Sequence, residues 1–228
     1  MVTGEWCKMK LDPRVRERYP GFAAGYAVVS GITIEPTVEG LIERKERVFA
    51  EVKEKYSSAD ISSIPEVSAY RSFFRQMGAD PSSYRPAPEY LLRRALDDRF
   101  PAINNLVDSC LLATLETWGP VGVYDMEKIR GDPVTTLSQG GESFQLISGK
   151  SVTTRPGEVV LRDDQKLIAA YTLGDARACM VTQKTSNALM VAWNAPGVDG
   201  ERLQAALNTS ATYARKYCGG HVEKIEVL

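Results

Sequence analysis

The residue pattern predicts an α+β fold, and three observations carry that prediction. Apolar residues recur at helical spacing through much of residues 37–118. From Val121 to Trp193 the texture changes to short apolar runs cut by glycine, proline and aspartate, which reads as strands and turns. A helix-length segment and an alternating one then follow, so helices and strands are intermixed at both ends.

Asp12 before Pro13 reads as a helix start, because the carboxylate can accept from free amides and proline loses nothing at the first helical position. That short helix should stop before Tyr19-Pro20-Gly21. Phe22–Val29 is a buried strand closed by Ser30-Gly31. Between Thr37 and Tyr56, Val38, Leu41, Ile42, Val48, Phe49 and Val52 are spaced as a helix, with Glu and Lys on the other face. Residues 58–63 read as a loop. Pro65 opens a helix to Met77 that carries Val67, Tyr70 and Phe74 on one stripe and stops at Gly78. Asp80-Pro81-Ser82-Ser83 is a turn. Pro88 opens another helix through Leu91, Leu92, Ala95 and Leu96, and a longer one runs from Asn105 to Trp118. Strands are expected at 121–124, 134–137, 144–147, 158–162, 167–172 and 188–193. Asp199 caps a helix that ends at Gly219-Gly220, and His221–Val227 alternates like a final strand. No linker stands out, so residues 1–228 are expected to form one domain.

The composition is that of an ordinary globular chain, 43% apolar and 25% charged over 228 residues. No apolar run reaches the roughly 20 residues of a membrane helix, and the opening MVTGEWCKMKLDP does not read as a signal peptide. A cytoplasmic protein that engages no membrane is expected. The net charge is −1, from 28 basic and 29 acidic residues, so nucleic-acid binding would need local clustering of arginine. Cys7, Cys110, Cys179 and Cys218 are too far apart for a zinc-type pair, and His221 is the only histidine. No metal site and no cofactor are expected. Gly140-Gly141 has no phosphate-loop spacing.

Several segments together resemble the B3/B4 domain of the phenylalanyl-tRNA synthetase β subunit, and more closely the solo proteins made of that domain alone. The most specific is Ala69–Leu96, AYRSFFRQMGADPSSYRPAPEYLLRRAL. Phe100–Gly131 follows, with Asn104-Asn105-Leu106-Val107-Asp108, Leu115-Glu116, Pro120, Tyr124-Asp125, Ile129 and Gly131. Thr185–Val191, followed by the C-terminal helix, is a weaker match, and the opening, Leu11-Asp12-Pro13 with Tyr19-Pro20-Gly21-Phe22, also resembles the solo proteins. The resemblance implies stacked β layers with helices packed over them, and tRNA or aminoacyl-tRNA as the partner. In the synthetase the module hydrolyses tyrosine wrongly attached to the phenylalanine tRNA. Aligning the motifs puts Gly122 where the synthetase has an editing histidine, Ala178 where it has a glutamate, and Cys110-Leu111 in place of a Thr-Asn pair. Removal of tyrosine is therefore not expected here. What remains open is a trans-acting aminoacyl-tRNA deacylase, a non-catalytic tRNA- or partner-binding module, or a small-molecule binder that reuses the pocket. A complete tRNA ligase is not expected.

Read as chemistry, Arg71 and Arg75 share a helix face, and Arg85, Arg93, Arg94 and Arg99 follow beside Tyr84 and Tyr90. Such a cluster could hold phosphates and a stacked base, or it could be a solvated face with pairs such as Glu89–Arg93. Asn105 and Asp108 could grip an amino group or ribose hydroxyl, or could cap their helix. Asp125 is expected to cap the turn that follows it. Asp175 and Arg177 could line a pocket or pair with one another. With Gly122, these residues form the expected substrate pocket: Asn105, Asp108, Gly122, Asp175 and Arg177. No catalytic residue is assigned; Cys110 would need a base to form a thiolate.

Overall fold

The structure is a computed structural model that describes residues 6–228. A two-residue strand, β1 (Lys10–Leu11), leads into α1 (Pro13–Arg18), where the Asp12 carboxylate accepts from the Arg14 amide at 3.0 Å. β2 (Ala23–Ser30) follows, with every residue after the first buried. Three helices come next, α2 (Glu39–Tyr56), α3 (Pro65–Gln76) and α4 (Ala87–Leu96), then α5 (Asn105–Thr117). The predicted loop between α2 and α3 contains a single 3-10 turn, Ile61–Ser63. Gly78 after α3 sits at φ +74°, the left-handed conformation that glycine adopts without steric cost.

The strand-rich half holds β3 (Val121–Asp125), β4 (Val134–Leu137), β5 (Ser143–Gln145), β6 (Ser151–Thr153), β7 (Val159–Arg162), β8 (Leu167–Ala170), β9 (Gly174–Asp175) and β10 (Asn187–Asn194). α6 (Gly200–Cys218) and β11 (His221–Val227) complete the order. Two expected strands shorten. Leu146 makes only an isolated bridge to Ala176, so the strand expected over 144–147 ends at Gln145. The strand expected over 167–172 stops at Ala170, where the Leu173 amide donates back to the Ala170 carbonyl and turns the chain.

These elements stack in layers. The first sheet has the order β11-β2-β10-β3 and is antiparallel throughout. Alternation along the strands gives it two apolar faces. Ala27, Val29, Ala188 and Met190 face α5 and α6, where Leu106, Leu203, Ala206 and Leu207 complete the packing. Tyr26, Val28, Leu189 and Trp193 face the other way, onto Val159, Leu161 and Ile168 of the second sheet. That sheet has the order β1-β4-β7-β8-β9 and is parallel only between β1 and β4. Its outer side, Val160, Leu167 and Ala170, packs on Phe144 of the β5–β6 hairpin. A separate helical core joins Leu41, Val48 and Val52 of α2 to Leu91, Leu92 and Ala95 of α4 and to Leu112 and Leu115 of α5. The class is α+β, with stacked β layers and helices over them. Among the described residues, no helix is long and apolar enough to cross a membrane.

Candidate functional site

A cavity of about 200 Å³ lies where α3, α4 and α5 meet both sheets. Its walls are mainly apolar and aromatic: Tyr70 and Phe74 of α3, Pro88 and Leu91 of α4, Leu111 of α5, and Val191 and Trp193 of β10. Tyr171, just past β8, stacks on Trp193 with ring centroids 5.7 Å apart and meets the rings of Phe73 and Phe74 edge-on. The Tyr171 hydroxyl is buried and has no hydrogen-bond partner among the described residues. The hydroxyl of Tyr70 is engaged, donating to the Trp118 carbonyl at 2.8 Å.

The acidic group of the cavity is Asp175, on β9. The Tyr124 hydroxyl donates to its Oδ1 at 2.7 Å. Burial pushes the Asp175 carboxyl up from its ordinary range, against the Tyr124 hydrogen bond, which favours the ionised form. Burial and the adjacent carboxylate together raise the Tyr124 phenol well above its usual value. Gly122 makes this pair possible. Residues 122 and 124 point to the same side of β3, and Tyr124 lies back over the glycine. A Cβ at 122 would sit 2.2 Å from the Tyr124 hydroxyl and 2.9 Å from its ring carbon Cζ.

Of the five expected pocket residues, Gly122 and Asp175 line this cavity and the other three do not. Asn105 and Asp108 lie outside it and bond to neighbouring segments. The Asn105 side chain accepts from the Glu35 amide at 2.9 Å and donates to the carbonyls of Thr33 and Tyr217, each at 2.9 Å. Asp108, 4% exposed, accepts from the Ile103 amide at 2.9 Å and from Lys45 Nζ at 2.5 Å. The helix cap is their neighbour Asn104, which accepts from the Leu106 and Val107 amides. Arg177 is exposed and borders a different groove, between Arg162 and the β5–β6 hairpin. It does not pair with Asp175, whose partner is Tyr124. Asp125 caps the turn Met126–Lys128 as expected and is locked by the Thr185 hydroxyl at 2.8 Å. Cys110 is buried between α5, α6 and the first sheet, and burial raises its thiol far above the usual range.

The arginines gather around a buried carboxylate and a surface basin, with Arg93 at both and Arg75 at neither. Glu89, fully buried, receives Arg71 at 3.0 Å and Arg93 at 3.0 Å, so these two are held by an internal carboxylate. Arg85, Arg93, Arg94 and Arg99 surround a surface basin of about 400 Å³ with Tyr90 and Asp97. There Arg94 lies over the Tyr90 ring, 5.2 Å from its centroid, and Arg99 is paired to Asp97. Arg75 is exposed on α3, outside the basin. Helix α4 thus presents Pro88 and Leu91 to the cavity and Tyr90, Arg93 and Arg94 to the basin.

Residues 69–219 match the family described as the B3/4 domain. The chain belongs to the B3/4 domain family. Outside this domain's own family model, it is similar to phenylalanine–tRNA ligase β subunits. It is 26% identical over 132 residues to that of Bradyrhizobium diazoefficiens, covering 56% of this chain and 16% of the relative. It is 30% identical over 107 residues to that of Ruegeria pomeroyi, covering 46% of this chain and 13% of the relative. A crystal structure of an N-terminal fragment of the β subunit from Pyrococcus horikoshii superposes with a TM-score of 0.52 at 12% identity, over 97% of this chain and 52% of that fragment. That likeness is one of fold. The B3/4 chain therefore spans a small part of the length of the curated relatives it matches.

Within this B3/4 domain, the positions set apart by comparison with the synthetase divide. Leu111 and Gly122 line the cavity, whereas Ala178 borders the hairpin groove. The residues that sequence reasoning missed are the aromatic walls, Tyr70, Phe74, Tyr171 and Trp193, together with the hydroxyl of Tyr124. One signal was available: a glycine two residues before a tyrosine in a strand leaves room on one face for the larger ring.

Proposed function

We propose that this B3/4 domain binds the aminoacylated end of a tRNA and hydrolyses the ester of a wrongly attached amino acid, acting in trans in the cytoplasm. The reading is supported by one arrangement: a small aromatic cavity with a single carboxylate–tyrosine pair and an arginine-lined basin share helix α4. In this reading the aminoacyl group enters the cavity while phosphates of the terminal nucleotides lie on Arg85 and Arg94. An activated ester needs less assistance than an amide. Holding a water and the terminal ribose hydroxyl against the carbonyl in a site of low polarity supplies much of the required rate.

The test is incubation of the protein with a panel of charged tRNAs. Accelerated deacylation of at least one, with tyrosine on the phenylalanine tRNA left intact, supports the proposal. Efficient removal of that tyrosine would count against the proposal: Gly122 and Leu111 offer no polar side chain to a phenol, so its hydroxyl would have to be met by Asp175, the acidic group of the cavity. Binding without turnover would make the protein a non-catalytic tRNA-binding module.

A further inference from the structure

We propose that Asp175 binds the α-ammonium group of the aminoacyl ligand, with the rings of Tyr171 and Trp193 as the adjacent walls. This inference rests on the function proposed above and names what that site recognises.

The buried carboxylates of the protein are compensated. Glu89 is met by two arginines, Asp108 by Lys45, Asp125 by Lys128 and Asp163 by Lys166. Glu158, which has no cationic partner among the described residues, accepts from the Arg155 amide and from both the amide and the hydroxyl of Thr172. Asp175 differs from all of these. Its side chain accepts one hydrogen bond, from Tyr124 to Oδ1, and among the described residues no lysine, arginine or histidine lies within ion-pair distance. A carboxylate can accept about four such bonds. Half-buried in the wall of an apolar cavity with one, it carries a desolvation cost that a bound cation would relieve.

The walls favour an organic cation over water. Tyr171 and Trp193 present stacked aromatic rings, with Phe74 and Tyr70 beside them, and the faces of such rings attract alkylammonium groups. The Tyr124 hydroxyl fixes Oδ1 and leaves Oδ2 as the acceptor for the ligand. An α-ammonium is common to every aminoacyl ester, so Asp175 reads the class of ligand, not its identity. Selection among amino acids then falls to the apolar lining of Leu91, Leu111 and Val191, which fits a compact apolar side chain.

The experiment uses the full chain and hydrolysis-resistant mimics: alaninamide, leucinamide and phenylalaninamide, each against the amide of the matching 2-hydroxy acid. The two sets differ in ammonium versus hydroxyl at nearly constant shape. Binding is followed by the shift of the Trp193 indole N–H resonance, which lies in the cavity wall. The expected result is that at least one ammonium form binds ten times or more tighter than its hydroxyl counterpart, and that Asp175→Asn abolishes the preference. Equal binding of the two forms, no shift with any of the amines, or a preference that survives Asp175→Asn would overturn the assignment. The wild-type comparison stands even if the variant does not fold. Charged-tRNA binding without any ammonium preference would remove the role of Asp175 and leave the tRNA reading intact. An ammonium preference without tRNA binding would do the reverse.

Discussion

Asp175 is held by one hydrogen bond among aromatic rings, and that setting favours its neutral form. Its folded pKa is raised, so the stability linked to the bound proton is fully present below the unfolded value, about 3.9, and is lost as pH rises through the folded value. At neutral pH the wild type therefore carries a cost that Asp175→Asn removes, since the amide oxygen can still accept from Tyr124. Thermal unfolding should give the variant a higher Tm at pH 7, with the difference shrinking as the medium is acidified. An unchanged or lower Tm at pH 7 would contradict the burial argument. Gly122 gives a second prediction. Gly122→Ala drives a methyl into the Tyr124 hydroxyl and should cost about 1–3 kcal/mol by urea unfolding. Removing the obstructing oxygen in Gly122→Ala/Tyr124→Phe should recover part of that loss, a coupling readable in a double-mutant cycle. Additive losses would show that the two side chains do not meet.

At the scale of elements, α4 is the shared wall of cavity and basin, and its basic face makes a prediction in salt. If Arg85 and Arg94 contact phosphates of a single-stranded end, each Ala substitution should lower the log–log salt slope of tRNA binding by about 0.7. Arg71→Ala should change the slope little, because that guanidinium is committed to buried Glu89. Filter binding across a salt series reads both, and a wild-type affinity indifferent to salt would end the phosphate assignment. The helices were legible because their signals are local: Asp12-Pro13, Pro65 and Asp199 mark starts that the structure keeps. The strands β1, β6 and β9 were not legible. They span two or three residues, too few for alternation to register; β1 exists through pairing with the distant β4, and β6 and β9 through short hairpins with the strands just before them. The site was legible to the same degree. Gly122 and Asp175 share one cavity, while Asn105 and Asp108, drawn in by residue type, lie outside it and are fastened to the backbone of neighbouring segments. Nothing local separates a polar side chain that binds a ligand from one that ties down a loop.

At the scale of the molecule, the two larger sheets and the helical core interleave residues from distant parts of the chain. β2 sits between β10 and β11, and β1 pairs with β4. We therefore expect the chain to behave as one domain, with urea unfolding followed by tryptophan fluorescence and by circular dichroism giving coincident transitions. Two separated transitions, or stable fragments on limited proteolysis, would contradict that. Which strands neighbour each other was beyond the sequence, since alternation gives a strand its faces but not its partners. The central position of β2 also bears on how the protein forms. Its register partners on β10 lie roughly 160 residues downstream, and every hydrogen-bonded neighbour it has comes from the last segments of the chain. On the ribosome, the apolar run from Ala23 to Ser30 is thus made early and must stay unpaired until β10 and β11 emerge. During that interval it is a sticky, exposed ribbon, the part of the nascent chain most in need of a chaperone.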